Sequence, residues 1–283
     1  MILVTGSTGN VGTEVVKQLA SAGHKVRALV RDTKEATGRL PTTVDVVVGD
    51  LDNTDALVNA MKGVDKMYML APFSPSLQQQ EANLVEAARR TKLQQIVKHS
   101  VLGAQWEAIA LGKWHRAGEK LVEASGAQWT HIRPSAFFSN TLGWAGMIKS
   151  GGTVYYPTGE GKLGAVDARD VAAVAVKCLT EPGHAGKAYD VTGPVALSTK
   201  EQVDIIGSAI GKQLKFVDVP GSAARESMLG QGMPAAVVDA LIEFCDAIKA
   251  NQCATVTDAV QKLTGKTPRT FEAWARENAA AFR

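Results

Sequence analysis

Three glycines near the start of the chain, Gly6, Gly9 and Gly12, stand three residues apart in Thr5-Gly-Ser-Thr-Gly-Asn-Val-Gly. The spacing suits phosphate chemistry. Gly6 permits a tight turn, Gly9 lets backbone approach a pyrophosphate, and Gly12 lets a following helix pack close to the preceding strand. The N–H groups of that helix start, with the positive end of its dipole, then face the anion. Ser7 and Thr8 add hydroxyl donors, and Asn10 and Val11 carry the turn into the helix. A second chemical group is Arg31, which closes the apolar run Lys25–Arg31. An arginine there accommodates the 2′-phosphate of NADP, where an acid would hydrogen-bond the 2′-hydroxyl of NAD. Asp32 follows at once, so the expected preference, NADP(H) over NAD(H), rests on one arginine. A third is Ser100, just after His99, at a strand end where many hydride-transfer enzymes with such a sheet place a serine facing the substrate carbonyl. A turn serine reads equally well there.

These residues need strands and helices to hold them. Ile2–Val4 reads as a short buried strand and Glu14–Ala20 as a helix ending near Gly23. Val44–Leu51 reads as a third strand, with Asp50 and Leu51 at its end beside the adenine. Asp50 also suits the cap of a helix over 53–62, closed by Gly63. Lys66–Leu70 is a fourth strand, and ligands of open α/β sheets bind beyond such ends, which puts Leu70, Ala71 and Pro72 beside the nicotinamide ribose. Residues 73–80 read as a polar loop fit for a lid, followed by a helix over 81–92, a strand over 95–103, a helix over 111–123 and a strand over 127–134. The fold class expected is α/β, a Rossmann-type doubly wound parallel sheet with a smaller C-terminal substrate lobe. Residues 1–134 form the NAD(P)-binding domain, with 165–193 returning to it. Residues 135–164 and 194–283 form the smaller lobe.

In that lobe, Phe137, Phe138 and Trp144 suit stacking on a flat ring, with Asn140 as a polar anchor, although aromatics at this spacing equally suit a core. Gly151-Gly152 and 158–162 read as turns of a hairpin holding Tyr155 and Tyr156. Asp167 and Asp170 read as structural acids at a helix start, and Ser198 with Glu201 as a capping box. Residues 222–262 read as helical with a break at 230–232, and 270–283 as a closing helix.

The chain has 283 residues, 45% hydrophobic and 21% charged, which marks a soluble globular protein with a large core. A net charge of +3 is too small to argue for nucleic acid, and no basic run is interleaved with aromatics. Cys178, Cys245 and Cys253 are odd in number and lack Cys-x-x-Cys spacing, so a reducing, cytoplasmic setting and no metal site are expected. The first strand starts at once, leaving no room for a signal peptide, and no apolar run is long enough for a bilayer.

With these residues in view, the chain resembles the short-chain dehydrogenase/reductase superfamily, in its atypical NmrA-like branch, over essentially its whole length. The residues that carry the likeness are Thr5–Gly12, Gly49-Asp50-Leu51, Ser100 with Gly103, Arg133-Pro134 with Phe137 and Asn140, Val166–Val171 and Thr270–Ala275. The resemblance implies a quinone reductase, a triphenylmethane-dye reductase or an NADP-sensing regulator. The usual centre of the superfamily is Tyr-x-x-x-Lys, often with Glu four residues on. Registering Glu119 on that Glu puts His115 at the Lys position and Leu111 at the Tyr position, so the phenolic acid is absent. Quinone-type reductases of the branch also carry His-x-x-x-Glu here. His115 and Glu119 therefore join Ser100 as candidate catalytic residues, with Lys113 as a further candidate. At i and i+4 the pair lies within reach, and Glu119 is expected to orient His115 and raise its pKa.

The function these readings imply is hydride transfer from NADPH to a flat, electron-poor acceptor such as a quinone. Its reduced anion is delocalised and needs little acid help. A second reading is an NADP(H)-sensing regulator without turnover, and a third, an isomerase or sugar-modifying enzyme, is disfavoured by the missing Tyr-x-x-x-Lys. The partners expected are a small aromatic or quinone substrate, no nucleic acid and no membrane, with a homodimer left open.

Overall fold

The computed structural model describes residues 1–283. The chain forms two compact units. Unit 1 comprises Met1–Ala108, Gly112–Arg133 and Val171–Asp190, and unit 2 comprises Ile109–Leu111, Pro134–Asp170 and Val191–Arg283.

Unit 1 alternates strand and helix: β1 (Ile2–Val4), α1 (Asn10–Ser21), β2 (Val26–Val30), α2 (Thr33–Ala36), β3 (Asp45–Val48), α3 (Thr54–Ala60), β4 (Lys66–Met69), α4 (Leu77–Arg90), β5 (Gln95–His99), α5 (Ala110–Glu123) and β6 (Gln128–Pro134). Each strand is a short apolar run, as sheets covered on both faces require. The sheet order is 3-2-1-4-5-6, all parallel, extended at β6 by a ninth strand of the chain over Lys187–Val191. That is a doubly wound sheet with its switch point between β1 and β4. Residues Val11, Val15, Val16 and Leu19 of α1 are buried, the i, i+4, i+5, i+8 stripe of a helix lying on a sheet. A core of Leu3, Leu57, Met67, Leu84 and Ile96 fills one face. Thr5 clamps the two switch-point strands: its hydroxyl donates to the Leu70 carbonyl at 2.7 Å and accepts from the Leu70 N–H at 2.8 Å.

Unit 2 holds α6 (Ala145–Gly151), β7 (Thr153–Tyr156) and β8 (Lys162–Leu163), and α7 (Ala168–Thr180) begins in it. After β9 (Lys187–Val191) come β10 (Leu197–Ser198), α8 (Thr199–Ile210), β11 (Lys215–Asp218), α9 (Gly221–Gly230), α10 (Ala235–Lys249), α11 (Ala259–Thr264) and α12 (Phe271–Glu277). Its own core gathers Phe138, Val154, Ile206, Phe271, Trp274 and Phe282. Ser198 and Glu201 make the expected capping box at the start of α8. Asp167 carries the guanidinium groups of Arg169 (2.6 Å) and Arg269 (3.0 Å), and Asp170 accepts from the Arg269 N–H at 2.7 Å. These acids fasten the C-terminal segment within the unit.

Several local expectations are corrected. Residues 77–80 are the first turn of α4 rather than loop, because Leu77 is buried. The cap of α3 is Asn53, whose side chain accepts from the Ala56 N–H, while Asp50 accepts from Asp52 N–H in the preceding turn. No hairpin forms around Tyr155 and Tyr156: β7 pairs in parallel with β11, and β8 antiparallel with β10. Helix is also interrupted over 250–258, and the closing segment is α12 followed by a 3₁₀ turn.

Candidate active site

The phosphate turn comes first. Gly6 has φ +60°, a left-handed conformation in which a side chain is strained, and a Cβ there would stand 2.3 Å from Leu70 Cδ2. A Cβ on Gly12 would stand 2.1 Å from the Gly6 carbonyl oxygen, so only glycine lets α1 start this close to the turn. A Cβ on Gly9 would meet only that same oxygen at 3.3 Å. Gly9 is the N-cap of α1, and the helix start has no side-chain cap and no acid in its first turn. The uncapped start of α1 fits a dinucleotide pyrophosphate, with the Gly9 N–H donating to the Gly6 carbonyl at 3.0 Å inside the turn. The hydroxyl expected from Ser7 is not offered to it. Ser7 is fully buried and donates to the Leu29 carbonyl at 2.7 Å, tying the turn to β2.

Beyond β2, Arg31 is exposed, with its guanidinium 3.5 Å from Glu35. Glu35 also accepts from Thr8 Oγ1 at 3.4 Å, and Arg39 donates to the Thr8 carbonyl at 3.2 Å. Asp32, which clouded the reading of Arg31, caps α2 by accepting from the Lys34 N–H. Arg39 and Glu35 escaped the sequence reading, since nothing in their spacing ties them to Thr8. Asp50 is exposed past β3, while Leu51 is half-buried against the core and its carbonyl accepts from Asn83. Leu70, Ala71 and Pro72 leave β4, with Leu70 against Gly6.

The ends of β5 and β6 carry a charged network. Glu119 is fully buried. It accepts from Ser100 Oγ at 2.6 Å, from Arg133 through two bonds of 2.8 Å, and from Arg116 at 3.0 Å. Burial alone raises a carboxyl pKa, but the bonds from Arg133 and Ser100 outweigh it and hold Glu119 at about 2. Arg133 belongs to a family-bearing motif, yet its partner is visible only in the fold. Deeper in, Lys98 Nζ lies 2.5 Å from Glu81, both fully buried, and Gly118 is what makes room for them. Tyr68 Oη and His99 Nδ1 are 2.7 Å apart. Glu123 and His131 crowd Glu119 as metal ligands do, but Arg116 and Arg133 already supply its positive charge.

His115 departs from expectation. It is buried, its Nδ1 finds no partner, and Glu119 is bonded elsewhere. Its pKa is not raised. Burial, then the nearby Lys98 and His99, push it well below the ordinary histidine value, so the ring is neutral. Trp114, next to His115 in the chain, lies against Phe73 with the rings tilted by 36° and 5.6 Å between centres.

Unit 2 contains a cavity of about 780 Å³. Phe137, Asn140 and Trp144 line it, together with Tyr155, Tyr156 and Phe244. Phe138 does not. It is buried in the core of the unit, edge-on to Phe271 at 5.2 Å, because the chain turns into 3₁₀ helix there and neighbouring side chains point apart.

Residues 6–182 match the family described as NAD(P)H-binding. An NAD(P)H azoreductase from Xenophilus azovorans is 39% identical over 283 residues, spanning 100% of this chain and 99% of the relative. A (4-alkanoyl-5-oxo-2,5-dihydrofuran-3-yl)methyl phosphate reductase from Streptomyces griseus is 37% identical over 286 residues, spanning 100% and 99%. Among solved structures, the NADPH complex of an Escherichia coli NADPH-dependent quinone oxidoreductase superposes with a TM-score of 0.89 at 24% identity, over 98% of this chain and 99% of that one. That likeness gives the fold. The chain belongs to the NAD(P)H-binding family.

Proposed function

We propose that this NAD(P)H-dependent reductase uses NADPH in preference to NADH and reduces a flat, electron-poor acceptor of the quinone or azo class. The observation that carries the reading is the open glycine cradle at the start of α1, where Gly6, Gly9 and Gly12 clear the backbone for a pyrophosphate. Backbone from Gly6 to Gly12 holds the phosphates, Arg31 and Arg39 take the 2′-phosphate, and Asp50 and Leu51 flank the adenine. When bound, the cofactor supplies the hydride. Relatives named as an NAD(P)H azoreductase, a quinone oxidoreductase and a furanyl methyl phosphate reductase differ in acceptor.

Ser100 and Glu119 act as positioning residues. An ionised Glu119 has no proton to give, so the Ser100 hydroxyl must donate to it and is not free to donate to a carbonyl. They fix the end of β5 and the N–H groups beyond it. His115, neutral and with one ring nitrogen unpartnered, is the group left to hydrogen-bond an acceptor oxygen or nitrogen. Proton delivery then comes from water, which a delocalised reduced acceptor tolerates. The sensor reading has no observation of its own.

The test is loss of NADPH absorbance against a panel of quinones and azo dyes, with NADH in parallel. Turnover with NADPH and slower turnover with NADH is the expected result. Tight NADPH binding with no acceptor reduced would defeat it.

A further inference from the structure

The cavity in unit 2 has a composition that the reductase reading does not require. No aspartate, glutamate, lysine, arginine or histidine lines it. Its walls are aromatic and thioether surface, with Phe137, Trp144, Tyr156 and Phe244 beside Met147 and Met228. Several charged residues that sit next to lining residues in the chain are paired off. Arg225, after Ala224, bonds Asp239 at 2.7 Å. Lys249, after Ile248, bonds Asp218 at 2.6 Å, and Lys162, between Gly161 and Leu163, bonds Glu201 at 3.0 Å. Glu243, before Phe244, accepts from the Ala110 N–H at 2.7 Å. These four charges are thus turned into protein contacts. The polar groups of the wall are neutral: Asn140, Gln202, and the hydroxyls of Thr158 and Thr199, which bond each other at 2.7 Å. The volume suits a drug-sized molecule of two or three rings better than a single small ring.

We propose that the acceptor of this protein is an uncharged, multi-ring or long-tailed aromatic, and that the cavity selects against phosphorylated, sulfonated and quaternary-ammonium acceptors of the same shape. An ionic substituent taken into such walls loses its water without gaining a counter-ion. Methionine adapts its shape to varied rings and adds sulfur–aromatic contact. The inference rests on the reductase reading only in calling the ligand an acceptor. The binding preference itself belongs to the cavity.

Three azobenzenes of one shape provide the test: 4-dimethylaminoazobenzene, its 4′-sulfonate and its 4′-trimethylammonio analogue. Binding is followed by quenching of tryptophan fluorescence, with Trp144→Phe to locate the signal. The neutral dye is expected to bind at least about ten-fold more tightly than either ion, with much of the quench lost in Trp144→Phe. Ala223→Lys adds a cation on an exposed position of α9 that lines the cavity. It is expected to tighten the sulfonate relative to the neutral dye by at least about five-fold. Equal binding of all three dyes, tighter binding of an ion, no quench by any dye, or no response of the sulfonate to Ala223→Lys would overturn the proposal. NADPH oxidation measured on the same dyes separates the two claims. Selective binding without turnover leaves the cavity inference standing and defeats the reductase reading. Turnover with no preference among the dyes does the reverse.

Discussion

The charged network of unit 1 and the cavity of unit 2 handle charge in opposite ways. Unit 1 buries it: Lys98, Glu81 and Glu119 are fully inside, and Arg133 is mostly covered, each held by ionic partners. Unit 2 keeps its cavity wall free of carboxylate, ammonium, guanidinium and imidazole groups, and Lys162, Arg225 and Lys249 beside it are paired with acids. A group that must hold one geometry gains from charge-assisted bonds, which are short and directional. A surface that must accept a range of flat molecules gains from apolar and thioether walls, which impose little direction. The largest consequence should follow from breaking the charged side. Glu119→Ala removes the partner of two guanidinium groups in a buried site, which costs about 3–5 kcal/mol. Chemical denaturation should show that loss, and a change below about 1 kcal/mol would mean that the network is far wetter than its geometry shows.

The next test stays in unit 1 and concerns packing. Gly12→Ala places a Cβ 2.1 Å from a backbone oxygen that has nowhere to go, whereas Gly9→Ala meets the same atom at 3.3 Å. Overpacking of this kind costs about 1–3 kcal/mol. NADPH affinity should fall about 100-fold for Gly12→Ala and far less for Gly9→Ala. The order of the two variants is the point, and a reversed order would show that α1 can slide away from the turn.

The glycine turn also shows how much the sequence holds by itself. Strand, turn and helix are local, and the three glycines do steric work within seven residues, so the cradle and the parallel sheet were legible before the fold was seen. The charged network was not. Glu119 and His115 share a helix face, and i, i+4 geometry predicts a pair, but Arg133 and Ser100 come from two neighbouring strands and reach Glu119 first. Competition from residues distant in sequence decided the outcome, and it reversed the expected direction of the His115 pKa. Phe138 failed for a related reason. A run of aromatics states that something apolar is nearby, but only the 3₁₀ turn decides that Phe137 faces the cavity and Phe138 the core.

Buried titratable groups in unit 1 should also give the protein a pH signature that the cavity does not. Burial holds the pKa of His99 down at about 3 and that of His131 at about 4, and His115 lies well below its ordinary value. In the unfolded chain each returns to about 6.5. Below that pH the unfolded chain binds protons that the native chain refuses, so stability falls as pH drops through about 6.5 towards the native values. The slope is about 1.4 kcal/mol per pH unit for each histidine. Glu119 adds its own loss later, between about 4.5 and about 2, because its native pKa is depressed. Urea midpoints measured between about pH 7 and about pH 5 should therefore fall well before carboxylates titrate. In His131→Gln the fall should be shallower by about one proton. A flat midpoint over that range would show that these rings are open to water in the native state.

The smallest effect concerns cofactor choice, where unit 1 exposes its charge. Arg39 donates to the Thr8 carbonyl, and Arg31 lies 3.5 Å from Glu35, which also accepts from the Thr8 hydroxyl. Exposed pairs of this kind are worth about 0.2–1 kcal/mol, so each group should move the ratio of NADPH to NADH affinity by a few-fold, not by orders of magnitude. Arg31→Ala should lower the ratio, since the arginine interacts with the 2′-phosphate and hardly with a 2′-hydroxyl. Glu35→Gln should raise it, by removing the anion that neutralises Arg31 and repels the phosphate. The two shifts should shrink together as salt is added, because both charges are exposed and screened. Opposite signs for Arg31→Ala and Glu35→Gln would make this acid–base pair the element that keeps preference for NADPH moderate. Equal losses with both cofactors in Arg31→Ala would remove the arginine from phosphate recognition and leave Arg39 as the group to vary next.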